Sequence, residues 1–235
     1  MAILGFMRMD LNCDLGEGFG NDLGLLDVVT SANVACGFHA GDAVTMSSVV
    51  AAAMSRGVVV GAQVSYADRE GFGRRRLDVA PEVLTADVLY QIGALAAYGP
   101  VSYVKPHGAL YNRIADDEEQ AAAVVAALAR YDGRLSLLTL PDSAAASAAA
   151  AAGVPVVCEG FADRAYTPAG RLLPRCSAGA VITDGAAAAA QAVELACGGR
   201  VRSICVHSDT PRAVELAHAV REALESAGVV VAAFA

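Results

Sequence analysis

The chain has 235 residues, 55% of them hydrophobic and 18% charged, enough apolar material for one sizeable core and too little polar bias for a disordered chain. Its formal net charge of -8 opposes phosphate backbones and anionic lipid, so neither nucleic acid nor a membrane surface is an expected partner. No apolar run approaches the roughly 20 residues that a bilayer-spanning helix needs, and Met1-Ala-Ile-Leu-Gly-Phe-Met7 lacks the basic start and the length of a signal peptide, so a cytoplasmic protein is expected.

Along the chain, β-branched apolar runs alternate with alanine-rich stretches of helical period. A strand at Met7–Cys13 is followed by a helix at Asp22–Thr30, a strand at Ala32–Cys36 and a helix at Ala43–Arg56. Next come a strand at Val58–Ser65, a helix at Pro81–Tyr98, a strand at Ser102–Lys105 and a helix at Asp116–Tyr131. The remainder reads strand Leu135–Leu140, helix Ser143–Ala152, strand Val154–Cys158, helix Gly185–Cys197, strand Arg202–His207, helix Thr210–Ala227 and strand Val229–Phe234. The residues before Met7 or Met9 read as a dispensable extension. Asp42 and Asp209 stand where helix N-caps belong, and Gly57 and Gly228 where helices stop. Strict βα alternation implies parallel strands joined by crossover helices. Seven or eight mostly parallel strands in this length suit a closed α/β barrel, formed as one domain over residues 1–235.

Two long loops interrupt the alternation, Tyr66–Ala80 and Gly160–Gly179, and both are expected to act as lids or substrate walls. The six cysteines contain no C-x-x-C pair, so they read as small buried residues in a reducing compartment.

The polar residues collect where the strands end. The clusters are Asp10-Leu-Asn12-Cys-Asp14, Cys36-Gly-Phe-His39-Ala-Gly-Asp42, Gln63-Val-Ser65-Tyr-Ala-Asp68, Lys105-Pro-His107-Gly, Glu159-Gly-Phe-Ala-Asp163-Arg164 and His207-Ser-Asp209. Chemistry at the carboxyl ends of parallel strands is the signature of an active-site rim. Alternation along a strand puts Asp10, Asn12 and Asp14 on one face, and Lys105 and His107 on one face. The outer face must meet the helices, so these polar sets face the interior, where they need partners. A lysine and an imidazole two residues apart can bind an anion and move a proton. His39 is expected to point into the site while Asp42 caps a helix, and Arg164 beside Asp163 can clamp a carboxylate or phosphate. Asp14 and His39 are of the types that bind zinc or another divalent ion. No H-x-x-x-H or H-E-x-x-H occurs, and Gln63 is a poor ligand for a transition metal, so a metal stays an open question. Gly16-Glu-Gly-Phe-Gly20 reads as a plain turn, and neither a nucleotide-binding P-loop nor a G-x-S-x-G elbow is present.

Four segments carry a family resemblance: Asp10-Leu-Asn-Cys-Asp-Leu-Gly-Glu17, Ser31-Ala-Asn-Val-Ala-Cys-Gly-Phe-His-Ala-Gly-Asp42, Val104-Lys-Pro-His-Gly-Ala-Leu-Tyr-Asn112 and Glu159-Gly-Phe-Ala-Asp-Arg-Ala-Tyr166. With Arg74 and Arg75 after Gly-Phe-Gly, they resemble the LamB/YcsF family, one component of the prokaryotic ATP-dependent 5-oxoprolinase. The resemblance implies a barrel related to the glycoside hydrolase and deacetylase superfamily. It also implies opening of 5-oxo-L-proline to L-glutamate, with ATP as co-substrate and two further subunits. The sequence departs from the family pattern at Gly61-Ala-Gln-Val-Ser65, usually Gly-Ala-His-Pro-Ser, and at His207-Ser-Asp209, usually His-Gly-Asp. The segments before Val104 and before Ser203 are also shorter than usual.

The resulting expectation is a C–N hydrolase component. Asp14 and His39 orient or activate water, and Lys105 and His107 stabilise the oxyanion and assist proton transfer. Asn12, Asp163, Arg164 and Tyr166 form the substrate-binding set. Two other readings remain: a metal-dependent amidohydrolase or deacetylase, and a non-catalytic subunit that binds substrate for its partners.

Overall fold

The computed structural model describes residues 7–235; the expected N-terminal extension lies outside the described residues. Eight strands are present: β1 (Arg8–Leu15), β2 (Ser31–Ala35), β3 (Val59–Val64), β4 (Tyr103–Pro106), β5 (Ser136–Thr139), β6 (Val156–Phe161), β7 (Ser203–Val206) and β8 (Val230–Val231). Every ladder between them is parallel. β1 closes the barrel. Its Asn12 faces Ser31 of β2, while its Asp10 faces Ser203 of β7. β8 meets only Arg8 and Met9, below the point where β7 takes over, so seven strands form the barrel and the eighth extends its base.

The helices are α1 (Asp22–Leu26), α2 (Ala43–Ser55), α3 (Pro81–Ala96), α4 (Gly108–Arg113), α5 (Glu118–Asp132), α6 (Ala144–Ala152), α7 (Gly185–Cys197) and α8 (Ala213–Ser226). Local signals explain most starts. Asp42 accepts from the Thr45 N–H at 2.8 Å and caps α2 as expected, and Asp117, Ser143 and Asp184 cap α5, α6 and α7 in the same way. Pro81 supplies the first turn of α3. Two expectations need correction. Asp209 does not cap α8, which begins at Ala213 after a left-handed Arg212, because its carboxylate is drawn to two arginines instead. α4 is absent from the expected elements, since one and a half turns carry too little period to register.

Strand alternation sorts the core as expected. Leu11, Cys13, Leu15, Val34, Val60, Val104, Ile204 and Val206 point outward and pack with the helices in one continuous cluster. The inward face differs from an ordinary barrel filled with branched apolar layers. Its floor is apolar, where Tyr103 packs with Leu138, Val157, Val59 and Phe234, and a smaller apolar group around Phe161 and Tyr111 lies at the other end. Between the two the interior is polar. Gly61 of β3 makes room for Tyr103: a Cβ there would fall 2.1 Å from the edge of the phenol ring, which is fully buried. At the rim, Gly108 takes φ +57° and lets its backbone meet that of Gly73, whose carbonyl accepts from the Ala109 N–H at 2.8 Å. This seats the loop over residues 65–80 on the end of β4. The loop over 162–184 is braced by antiparallel bridges, Arg164 with Val181 and Tyr166 with Leu172.

Because the Tyr103 ring has no free volume to retreat into, Gly61→Ala should cost about 1–3 kcal/mol. A urea melt should show a lower midpoint with an unchanged slope; an unchanged midpoint would mean that the ring is not confined as described.

Candidate active site

The inward residues of β1 organise the barrel interior. At its lower level, Asp10 accepts from Thr30 Oγ1 at 2.7 Å, Ser31 Oγ at 2.6 Å and the Ser203 hydroxyl. Burial pushes the Asp10 carboxyl up to about 6, against those hydrogen bonds and with Glu159 adding to the rise. One level higher, Asn12 donates to Ser203 Oγ at 2.7 Å and Glu159 Oε2 at 3.3 Å. Its Oδ1 accepts from Asn33 at 2.8 Å and from Lys105 Nζ at 3.0 Å. Asp14, at the rim, accepts from Asn33 at 2.9 Å.

Lys105 occupies the centre of this network. Nζ lies 2.9 Å from Glu159 Oε2, 3.6 Å from Asp14 Oδ1 and 2.8 Å from Cys205 Sγ. Burial opposes the ammonium, but Cys205, Glu159 and Asp14 outweigh it and hold Lys105 well above its usual value. With Asn12, Glu159 and Cys205 taking its N–H groups, Lys105 acts as a fixed positive charge. Cys205 is therefore part of the site, although its sequence context reads as apolar core.

Two histidine arrangements stand on the rim above. In the first, His39 and His107 stack with centroids 3.9 Å apart. His39 reaches Ser65 Oγ and Glu17 Oε1, each at 3.2 Å. His107 contacts the Phe72 carbonyl at 3.0 Å and Gln63 Nε2 at 2.9 Å. Burial, then the neighbouring His39, holds His107 well below the usual imidazole value, so it is neutral with both nitrogens engaged. In the second, Asp163 grips His207. It accepts from the backbone N–H at 3.1 Å, lies 2.8 Å from Nδ1 and takes the Thr210 hydroxyl at 2.6 Å. Burial raises the Asp163 carboxyl, but His207 and these hydrogen bonds outweigh it and bring it down to about 2. Nε2 of His207 has no partner among the described residues, and the ring stacks on Phe161 at 5.5 Å.

Phe161 is the common floor of these groups. Lys105 Nζ lies 5.0 Å from its ring centre and Tyr111 packs edge-on at 5.4 Å. Over it opens a cavity of about 560 Å³. Six cations line it, Arg74, Arg76, Lys105, Arg113, Arg164 and Arg175, against one carboxylate, Asp14. Several of these cations are paired from outside the lining: Arg113 with Asp78 and Asp117, and Lys105 with Glu159. Among the described residues, the Arg164 side chain donates only to backbone carbonyls, Ala180 at 3.2 Å and Leu173 at 2.7 Å, and forms no ion pair. Asp209 ties the two long loops together, binding Arg74 of one at 2.5 Å and Arg175 of the other.

Of the residues expected from sequence, Asp14, Lys105, His107 and Arg164 line the cavity. His39 lies behind His107. Asn12 is buried beneath Lys105, Asp163 is spent on His207, and the Tyr166 hydroxyl accepts the Phe161 N–H at 2.7 Å beneath the cavity floor. Several participants carry no role that the sequence alone assigns. His207, Glu159 and Gln63 stand in the polar clusters, Glu17 in a segment that reads as a plain turn, and Arg175 in a loop.

The chain is similar to known proteins along nearly its whole length. Residues 9–235 match the model of the LamB/YcsF family. The chain is 56% identical over 249 aligned positions to a 5-oxoprolinase component, the A subunit, of Streptomyces avermitilis, covering 97% of this chain and 100% of the relative. With the same component from Nocardia farcinica the identity is 53%, over 97% and 100% of the two chains. The crystal structure of a lactam utilization protein from Thermus thermophilus superposes with TM-score 0.90 at 42% identity, covering 97% of this chain and 100% of that one. A family 4 carbohydrate esterase from Streptomyces lividans shares the fold at TM-score 0.55 and 13% identity, covering 97% and 93%.

The Asp163 carboxyl makes a pH-dependent contribution to stability. Its folded value lies below the unfolded one near 3.8, so the stabilisation is complete above about pH 4 and is lost as pH falls through 2. Asp163→Asn should cost about 2 kcal/mol at pH 5, and the gap between variant and parent should shrink as the pH approaches 2. A gap independent of pH in chemical melts would refute the link.

Proposed function

The chain belongs to the LamB/YcsF family, and from that premise we propose that it is the lactam-opening subunit of an ATP-dependent 5-oxoprolinase. The observation that carries the reading is a carboxylate-held imidazole, His207 on Asp163, with its free nitrogen beside a cation-lined cavity floored by Phe161. Among the described residues no helix is long and apolar enough to cross a membrane, and a cytoplasmic location forms part of the same reading.

5-Oxo-L-proline is a small ring bearing one carboxylate. Arg164, unpaired with any carboxylate, is the group to hold that anion, with Arg175 and Arg74 at the mouth. The apolar face of Phe161 supports the ring. Attack on the amide carbonyl places negative charge on its oxygen, and the Lys105 ammonium stabilises that charge through its field, at no cost in reorganisation. Cleavage of the C–N bond leaves the ring nitrogen needing a proton. His207 Nε2 supplies it, while Asp163 holds the tautomer and stabilises the imidazolium that precedes the transfer. Asp14 accepts from the attacking water. This reading moves proton transfer from His107 to His207, because both His107 nitrogens are already engaged.

Amide hydrolysis is slow and, for a five-membered lactam, only weakly downhill. Coupling to ATP supplies the drive. No P-loop occurs in the sequence, so the nucleotide is assigned to two partner subunits, with the cavity here completing the ring opening.

In the complex reconstituted with its partners, His207→Gln should lower kcat for glutamate release by about 10²–10⁴-fold with KM little changed. Arg164→Gln should raise KM for 5-oxoproline by about tenfold or more while kcat changes less. Turnover unchanged in both variants would refute the assigned site.

A further inference from the structure

At the rim, four side chains converge that the ring-opening scheme does not use. They are Glu17 after β1, His39 after β2, Gln63 on β3 and His107 after β4. Their hydrogen bonds define where the protons sit. The carbonyl of Phe72 can only accept, so His107 Nε2 donates to it and Nδ1 presents a lone pair. The Ser65 hydroxyl donates to the Tyr66 carbonyl at 2.8 Å, so it accepts from His39 Nδ1–H, and His39 Nε2 presents a lone pair in the neutral ring. Both acceptor nitrogens lie near Glu17 Oε1, at 3.2 Å for His39 and 3.4 Å for His107, and that of His107 also takes the Gln63 amide N–H. An imidazole whose outer nitrogen donates to a carbonyl or hydroxyl while its inner nitrogen carries no proton is arranged as metal-binding histidines are.

Gln63 supplies a separate observation. Its amide nitrogen donates to Glu17 Oε1 and to His107 Nδ1, each at 2.9 Å, while its Oε1 is buried without a partner among the described residues. Gln63 itself is fully buried. Turning the amide by half a rotation puts that orphan oxygen in the nitrogen's place, facing the other donors. Such an arrangement is repulsive alone and favourable around a cation. The separations of 2.9–3.4 Å between these atoms match those between neighbouring ligands about 2.1 Å from one ion, roughly 3.0 Å in an octahedron and 3.4 Å in a tetrahedron.

We propose that Glu17, His39 and His107, with the Gln63 amide oxygen as the weaker fourth donor, bind one divalent transition-metal ion. Two imidazoles, a carboxylate and a neutral oxygen favour zinc-type ions over magnesium or calcium. The ion meets both lone pairs when the stacked rings tilt toward it, a movement of side chains and not of backbone. Asp14 Oδ2 lies 3.9 Å from His107 Nδ1 and lines the cavity, so the ion sits next to the reacting space. There it supplies Lewis-acid polarisation or activates a water. The binding claim rests on this geometry and stands apart from the identity of the substrate.

The test is metal binding itself. The untagged chain, stripped with chelator and checked for folding by circular dichroism, is titrated with zinc by calorimetry and with cobalt(II) by visible absorption. The expected result is one equivalent per chain, with a cobalt spectrum of low-symmetry nitrogen and oxygen ligation. Glu17→Gln and His107→Gln should each weaken zinc binding by more than about 100-fold, and Gln63→Leu by about 10-fold. Glu82→Gln, on α3 and away from the cluster, should bind like the parent. No stoichiometric binding of either ion by the folded parent overturns the proposal, as does binding unaffected by Glu17→Gln and His107→Gln. The former is the result for a His39 imidazolium paired with Glu17. Because 5-oxoproline turnover is not the readout, failure here leaves the lactam reading intact.

Discussion

A protonated lysine inside a barrel is the constraint around which this molecule is arranged. An isolated buried ammonium costs several kcal/mol, so Lys105 exists only with its surroundings built to match. Glu159 and Asp14 supply the opposite charge, and Asn12 and Cys205 take the remaining N–H groups. Those partners come from β1, β6 and β7, and Lys105 from β4, so one charge recruits residues from across the barrel. Asn33 and Ser203 then satisfy Asn12, and Asp10 satisfies Ser203. The interior is polar because one charge requires a partner and each partner requires another.

The rim follows from that base. Its imidazoles each lean on a group that decides their protonation. Asp163 leaves His207 with one nitrogen toward the cavity, whereas the Phe72 carbonyl and Gln63 occupy both nitrogens of His107. Two histidines on one rim thus acquire different chemistry from their neighbours alone. The cations of the cavity belong mostly to the long loops and to Lys105, and Asp209 clasps the two loops over the floor. The net charge of the chain gives no hint of this, because it sums over all residues and says nothing of where they sit.

Much of the fold is legible in the sequence. Every expected strand is present within a few residues, because β-branched runs between alanine-rich helical stretches leave few alternatives. The inward placement of Asp10, Asn12 and Asp14 follows from alternation, as does that of Lys105 and His107. α4 escapes because six residues after His107 hold too little period, and Asp209 looks like a cap because a cap and an ion-pair partner share the same short carboxylate. Roles within the site are less legible. Asn12 and Tyr166 are of types that bind substrates, yet here they brace Lys105 and the Phe161 backbone.

The sequence by itself determined the alternation, the parallel barrel, the rim that bears the chemistry and the family. Those depend on local propensity and on a period of two along each strand, which neighbouring residues decide. Only the tertiary structure decided which nitrogen of which histidine is free, that Glu17 joins His39 and His107, that Arg164 keeps its charge without a carboxylate and that Cys205 belongs to the site. Protonation and pairing depend on partners far away in the chain, 26 residues for His39 and Ser65 and 191 for Asn12 and Ser203, brought into hydrogen-bond range by barrel closure, and no local pattern records them.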